Sequence, residues 1–230
     1  MNSSSCCKLP IISRIWHSTI GKKLLVALTG VVLTLFLAGH LGGNMLIYAG
    51  PEAFDAYAEF LHHMLHGAGI WIFRVIMLAC LVIHVAATIS LTRRNKSARQ
   101  SYENKAVIQA KKSSLIMVWS GLTILAFVIF HILHFTVRTD PELARIAAES
   151  PHQMVIVGFQ NWLVVLFYIV AMTLLCSHLS HGVQSMFQTL GLRSNKSAAM
   201  LDALSIGYAI VIWVGFVSIP VSILFFNFGS

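Results

Sequence analysis

Residues 24–48 read LLVALTGVVLTLFLAGHLGGNMLIY, a stretch that contains no charged side chain. About 20 consecutive apolar residues suffice for a helix to cross a bilayer, so this stretch predicts a membrane-spanning helix. It is too long for the apolar part of a cleaved signal peptide and lacks a small-residue cleavage site in its outer flank. We therefore expect a permanent helix. Its histidine, His40, lies within the apolar run, where polar side chains are costly and usually functional.

Four more apolar runs of similar length follow, at 70–92, 114–137, 157–180 and 204–227. Of the 230 residues, 57% are hydrophobic and 10% are charged, whereas a soluble domain has roughly 25% charged residues. Unbroken apolar runs of this length exclude the strands of a membrane barrel. The sequence predicts an all-α integral membrane protein in which residues 1–230 form one five-helix bundle embedded in lipid.

Basic residues are concentrated in alternate connections between the spans. They are Lys8, Arg14, Lys22 and Lys23 before the first span, Arg93, Arg94, Lys96, Arg99, Lys105, Lys111 and Lys112 after the second, and Arg193 and Lys196 after the fourth. Because basic residues mark the cytoplasmic side, we expect the N-terminus inside and the C-terminus outside. The net charge of +8 is explained by this topology, and no soluble basic domain is available to bind nucleic acid.

Four spans each contain a histidine, and the four depths match in two pairs. With a helical rise of 1.5 Å per residue, His40 lies about 12 Å and His131 about 10 Å from the outer surface. His84 lies about 14 Å from the inner surface, and His178 lies at a similar inner level because its helix continues past the lipid towards Gly191. Two facing histidine pairs are what two six-coordinate haems require.

A second histidine follows His131 and His178 three residues later on the same helix face. These second histidines are His134 and His181. Depth favours His131 and His178 as haem ligands. His134 then becomes a candidate contact for a quinone, and His181 a candidate contact for a haem propionate. Any single histidine could instead form a hydrogen bond between helices. Four histidines at paired depths beside small residues favour haem.

The connection after the first span contains His62, His63 and His66, close to Glu59 and ahead of Arg74. Histidines in a surface loop are usually solvated, and a zinc site needs better-defined geometry. The cluster would nevertheless lie above the outer histidine pair, where a group that titrates near neutral pH could accept protons from a quinol. Arg74 is expected to reach the interface or to neutralise a nearby carboxylate.

Short motifs in the first four spans and in the connection after the second carry a family resemblance. They are Thr29-Gly30, Phe36, His40 and Gly43-Asn44, then His84, then Asn95, Ala98-Arg99 and Tyr102, then Trp119-Ser120-Gly121, Phe127 and His131, and finally His178 with Gly182. In this combination and order the chain resembles the cytochrome b558-type membrane-anchor subunit of succinate dehydrogenase/fumarate reductase, the succinate:menaquinone oxidoreductase family.

The resemblance implies two haem b groups, one held by His40 with His131 and the other by His84 with His178. It also implies a multi-pass subunit of the bacterial inner (cytoplasmic) membrane that anchors a flavoprotein subunit and an iron–sulfur subunit on the cytoplasmic face. Menaquinone would bind near the outer haem. The chain would then belong to an enzyme of the tricarboxylic acid cycle without carrying its dicarboxylate chemistry. Some relatives have an essential glutamate where His62 stands here, so Glu59 and His62 both remain candidates for handling protons.

Two other functions stay open at this point. The cytochrome b subunit of a formate dehydrogenase or hydrogenase also places histidines in a small bundle, and its partner subunits would distinguish it. A haem-free transporter could use the histidines as a proton relay. A transporter would be favoured by an inverted internal repeat with broken helices, and the sequence has no sign of one.

Overall fold

A computed structural model describes residues 11–97 and 108–229, and all regular structure within them is helical. Five helices are long and apolar enough to span a membrane: α2 (Thr19–Met45), α4 (Ala68–Ser97), α5 (Ile108–His131), α8 (Trp162–Thr189) and α9 (Ala198–Phe226). The shorter helices are α1 (Ile11–His17), α3 (Pro51–His63), α6 (Pro141–Glu149) and α7 (Pro151–Gly158). The predicted all-α chain with five spans is confirmed, whereas the direction in which each end faces stays a prediction. Of the residues named above, Lys8, Ala98, Arg99, Tyr102 and Lys105 lie outside the described ranges.

The fourth span begins later than the sequence predicted, at Trp162 instead of residue 157. The Asn161 side chain accepts a hydrogen bond from the Leu163 backbone N–H at 2.9 Å, which caps the new helix. The preceding residues belong to α7, a separate short helix. At its other end α8 continues to Thr189, and Gly191 follows with a left-handed φ of 75°, as is usual after a helix.

The third span ends in an unusual turn. After His131 the α-helical pattern of α5 gives way to a π-helical segment, Ile132–Val137, and the chain leaves it through Arg138 at a φ of 57°. Short π-helical segments are rare and occur frequently at functional sites. Here the segment contains His134 and directly follows His131, so it sets the relative direction of these two rings.

The spanning helices form a bundle with α2 and α8 at its centre. Helix α2 packs closely against α4, α8 and α9, and α8 packs against α2, α5 and α9. Among the described residues, α2 and α5 do not pack closely, nor do α4 and α8. These are the two helix pairs whose histidines are expected to pair, so the backbones that carry those histidines are separated.

The two ends of the bundle differ, and we name them after the predicted orientation. At the inner end, Arg94 Nη1 donates to the His17 carbonyl at 3.1 Å and so fastens α1 to α4, and Arg193 pairs with Asp202 between α8 and α9. The hydrogen bonds that Arg193 donates to the Asp202 carboxylate raise the pKa of Arg193 above its ordinary value. The outer end consists of α3, α6 and α7.

The outer helices are joined through Asp55 of α3. Its carboxylate accepts hydrogen bonds from Ser150 Oγ at 2.6 Å and from the His152 backbone N–H at 2.7 Å. A carboxylate is favourable at a helix N-terminus, where backbone N–H groups lack partners. Asp55 therefore holds the first turn of α7 against α3 and keeps α7 folded over this end of the bundle.

The surface of the spanning helices is apolar. Large side chains such as Leu35, Val75, Trp119 and Val211 are more than half exposed. In water such a surface would be an aggregation hazard or an interaction site. Around five long helices it is the surface expected to face lipid tails.

Candidate functional site

The outer histidine pair bridges α2 and α5. The ring centroids of His40 and His131 lie 5.8 Å apart, with an angle of 78° between their planes. Phe36 stacks on His40 at 5.1 Å and Phe127 stacks on His131 at 5.8 Å between centroids. The backbones of α2 and α5 are separated, so these two rings make the contact between the helices at this level.

His131 and His134 differ in what they face. Of these two histidines, only His131 has a ring contact with His40 in the part of the chain that the structure describes. His134 lies against Phe135, at 4.1 Å between ring centroids, and near Phe159 at 6.5 Å. The structure thus directs His131 into the space between α2 and α5 and His134 towards the outer end of the bundle.

A tyrosine of α8 connects these two histidines. The hydroxyl of Tyr168 lies 3.2 Å from His131 Nδ1 and 3.2 Å from His134 Nδ1. A phenol has one proton to donate and can also accept, so it can accept from one ring and donate to the other. Sequence reasoning missed Tyr168. Its signal would have been a buried tyrosine within the fourth apolar span.

The inner histidines, His84 of α4 and His178 of α8, are each held by a hydroxyl group on another spanning helix. His84 Nδ1 is 3.1 Å from Thr29 Oγ1, and His178 Nδ1 is 3.3 Å from Ser120 Oγ. Thr29 and His40 are 11 residues apart on α2, so the inner and outer pairs are separated by about 16 Å along the helix axis.

The two hydroxyl groups favour one tautomer of each inner ring. Thr29 Oγ1 donates to the Leu25 carbonyl at 2.7 Å, and Ser120 Oγ donates to the Met117 carbonyl at 3.3 Å. Each hydroxyl can therefore accept from a histidine Nδ1–H. This arrangement leaves the lone pair on Nε2, the nitrogen that would then be free to bind a metal.

Each of these hydroxyl residues is followed by a glycine that makes room for the ring. A Cβ atom at Gly30 would lie 3.8 Å from His84 Cε1, and one at Gly121 would lie 3.6 Å from His178 Cε1. Thr29-Gly30 and Ser120-Gly121 thus serve the same purpose on two helices. In each pair the hydroxyl group fixes the histidine ring, and the glycine leaves room for that ring.

The other predicted residues lie apart from the two pairs. His62 Nδ1 bonds its own helix at the Ala58 carbonyl (2.8 Å), and His63 Nε2 lies 3.9 Å from Glu59 in an exposed pair. Arg74 lies over the Trp71 ring at 5.0 Å. His181 is exposed, and its Nδ1 faces the Ser177 carbonyl at 3.3 Å. Within the described ranges no group of three or more His, Cys, Asp or Glu side chains could hold a metal ion.

Comparison of the chain with protein-family models, with curated proteins and with solved structures gave no match.

Proposed function

We propose that this chain is the di-haem cytochrome b subunit of a succinate:menaquinone oxidoreductase. In this role it anchors a flavoprotein and an iron–sulfur subunit at its inner end and links them to menaquinone at its outer end. One observation carries the proposal. Four spanning helices each carry a histidine, and the four lie at two levels: His40 and His131 contact each other at the outer level, and a hydroxyl group of a neighbouring helix holds each of the other two, His84 and His178, at the inner level.

The donor set fits haem better than a bare metal ion. Each site offers only two imidazoles, and zinc sites take three or four protein ligands. A planar cofactor that supplies four nitrogens of its own needs only two axial ligands from the protein. Bound haem would supply reversible one-electron chemistry at a potential set by its axial ligands and surroundings. The chain's own contribution is to keep the imidazoles neutral, oriented and shielded from water.

Second partners orient the rings that would bind iron. Thr29 and Ser120 hold the inner rings through Nδ1, and Tyr168 contacts the Nδ1 of His131. Such partners of ligating histidines fix the ring and tune the basicity of its other nitrogen. The outer ring of His40 has an amide neighbour, since Asn44 Nδ2 lies 3.2 Å from its Nδ1.

The quinone would react at the outer end, where His134 is the side chain best placed for it. Through Tyr168, His134 is connected to His131 by two hydrogen bonds. A change in the protonation of His134 would therefore alter the hydrogen bonding of His131, the proposed ligand of the outer haem iron. Glu59, His62 and Arg74 remain candidates for proton exchange with the outer solution, since they lie on the two helices that border this end, α3 and α4.

The first test is a haem count on the tagged chain purified from its native membranes. Pyridine haemochrome quantitation should give two haem b per chain, with a low-spin reduced-minus-oxidised spectrum. A flavoprotein and an iron–sulfur protein should co-purify, and succinate should reduce the haem. Absence of haem would contradict the proposal, and co-purification of a molybdenum or nickel enzyme instead would favour the formate dehydrogenase or hydrogenase alternative. His66→Ala, in the exposed outer loop, serves as the control and should retain both haems.

Gly121→Leu is expected to remove the inner haem. A Cβ atom fits at 3.6 Å from His178 Cε1, but the further atoms of leucine would occupy the space of the ring. Gly121→Ala should retain two haems per chain. The matched control is Gly207→Leu, because Gly207 is an exposed glycine of α9 with no atom within 4 Å of an added Cβ. Equal haem content in both leucine variants would show that His178 is not an iron ligand in this position.

Tyr168→Phe is expected to keep both haems and to change only the outer one. The substitution removes the shared partner of His131 and His134, and a buried donor left without a partner costs about 1–3 kcal/mol. The potential of the outer haem should shift, and the rate of menaquinol oxidation should fall by about tenfold, which corresponds to 1.4 kcal/mol. The inner potential, measured in the same redox titration, should be unchanged. A shift of both potentials would indicate a general disturbance of the bundle.

A further inference from the structure

Lys22 is a buried cation at the inner end of the bundle. Its exposed fraction is 4%, whereas the adjacent Lys23 is exposed. Its Nζ donates to Ser90 Oγ of α4 at 2.6 Å and lies 5.5 Å from the centroid of the Trp16 ring. Among the described residues no carboxylate lies within ion-pair distance of it. Removing an ammonium group from water without a neighbouring anion costs free energy. We therefore expect an anion to bind beside Lys22.

The position of Lys22 relates it to the inner histidine pair. Lys22 precedes Thr29 by seven residues, two turns of α2, and therefore lies on the same face about 10 Å nearer the inner end. Both residues contact α4, Lys22 through Ser90 and Thr29 through His84. The Lys22–Ser90 contact therefore lies between α2 and α4, about two helical turns nearer the inner end than the contact between Thr29 and His84.

Other basic groups at this end are already engaged or face solvent. Arg94 donates to the His17 carbonyl and to Thr19 Oγ1, and Arg193 is paired with Asp202. His181, predicted from the sequence as a contact for a propionate, is exposed and faces its own helix. Of the lysine and arginine side chains that the structure describes, Lys22 alone is buried.

We propose that Lys22 and Ser90 form a carboxylate-binding site that holds a propionate of the inner haem. The inference rests on the proposed function. Haem carries its two carboxylates on one edge, and the ammonium group of Lys22 has two donors beyond the one used on Ser90. A carboxylate between Lys22 and the Ser90 hydroxyl would neutralise the buried charge with charge-assisted hydrogen bonds. It would also fix the rotation of the macrocycle about the His84–His178 axis.

The test is a redox titration of the purified complex with Lys22→Gln. A positive charge beside the proposed haem would favour the added electron. Its removal should lower the equilibrium constant for reduction of the inner haem by about tenfold, which is about 59 mV for a one-electron couple. The outer haem should be unchanged. Lys22→Arg should restore most of the inner potential, and Lys23→Gln, one residue away but exposed, should leave both potentials as they are.

A vibrational measurement separates direct contact from a distant charge effect. The propionate bending band in the resonance Raman spectrum should shift in Lys22→Gln and, to a smaller extent, in Ser90→Ala, which keeps the charge and serves if the lysine variant does not fold. A change of potential without a change of this band would overturn the proposed contact. So would an unchanged inner potential in a complex that holds two haems. Loss of a bound phospholipid from Lys22→Gln, seen by native mass spectrometry with the haems unaffected, would assign the site to a lipid phosphate. A wild-type chain without haem would instead overturn the proposed function itself.

Discussion

The variant His131→Ala is expected to hold one haem b per chain instead of two, with the outer haem lost. Among the histidine rings of the described structure, only His131 contacts His40, between α2 and α5 and at 5.8 Å between ring centroids. Alanine supplies no ligand, and the π-helical segment after residue 131 directs His134 elsewhere. The inner pair is about 16 Å away along α2 and shares no side chain with the outer pair. Pyridine haemochrome quantitation and a redox titration of the remaining haem measure the outcome.

His134→Ala is the matched control, because it removes a histidine from the same turn and from the same tyrosine. Tyr168 Oη lies 3.2 Å from the Nδ1 of each ring, so both variants break one hydrogen bond to it. We expect His134→Ala to keep both haems and to react more slowly with menaquinol. If His134→Ala lost a haem while His131→Ala kept two, the ligand assignment would have to be exchanged.

The fold could be predicted from the sequence because a membrane makes hydrophobic length decisive. Five apolar runs gave five spanning helices, since a chain in lipid must satisfy its backbone within the helix. The residues at which the spanning helices begin and end were less predictable. The run that begins at residue 157 includes the end of α7, and the short turn at residues 159–161, which ends in the Asn161 cap, separates the two helices. Apolar residues continue through that break, so hydropathy does not reveal it.

The depths of the histidines could also be predicted, because helical rise is nearly constant. The rotation of each helix about its axis could not be predicted from the sequence. Lipid tails are as apolar as a protein core, so a spanning helix lacks the polar stripe that marks the exposed face of a soluble helix. For this reason the sequence did not show that Tyr168 faces His131, or that Thr29 and Ser120 face the inner rings. These three residues were visible only as polar side chains within apolar runs.

The variant His178→Ala is expected to lose the inner haem and, with it, nearly all electron transfer from succinate to menaquinone. Ser120 holds His178 at 3.3 Å, towards the end of the bundle where the partner subunits are proposed to bind. The outer pair should still bind its haem. Electron transfer slows steeply with distance, so the remaining outer haem should stay oxidised when succinate is added, although dithionite reduces it.

The control is His181→Ala, which changes an exposed ring that bonds only its own helix in the described structure. It should keep two haems and normal succinate-dependent reduction. Comparison with His131→Ala then shows in which order electrons pass through the two haems. In His131→Ala the inner haem should be reduced by succinate and no longer reoxidised by quinone, whereas in His178→Ala the block lies before the outer haem. If succinate reduced the outer haem at the normal rate in His178→Ala, electrons would be entering from the outer end, and the proposed placement of the partner subunits would be wrong.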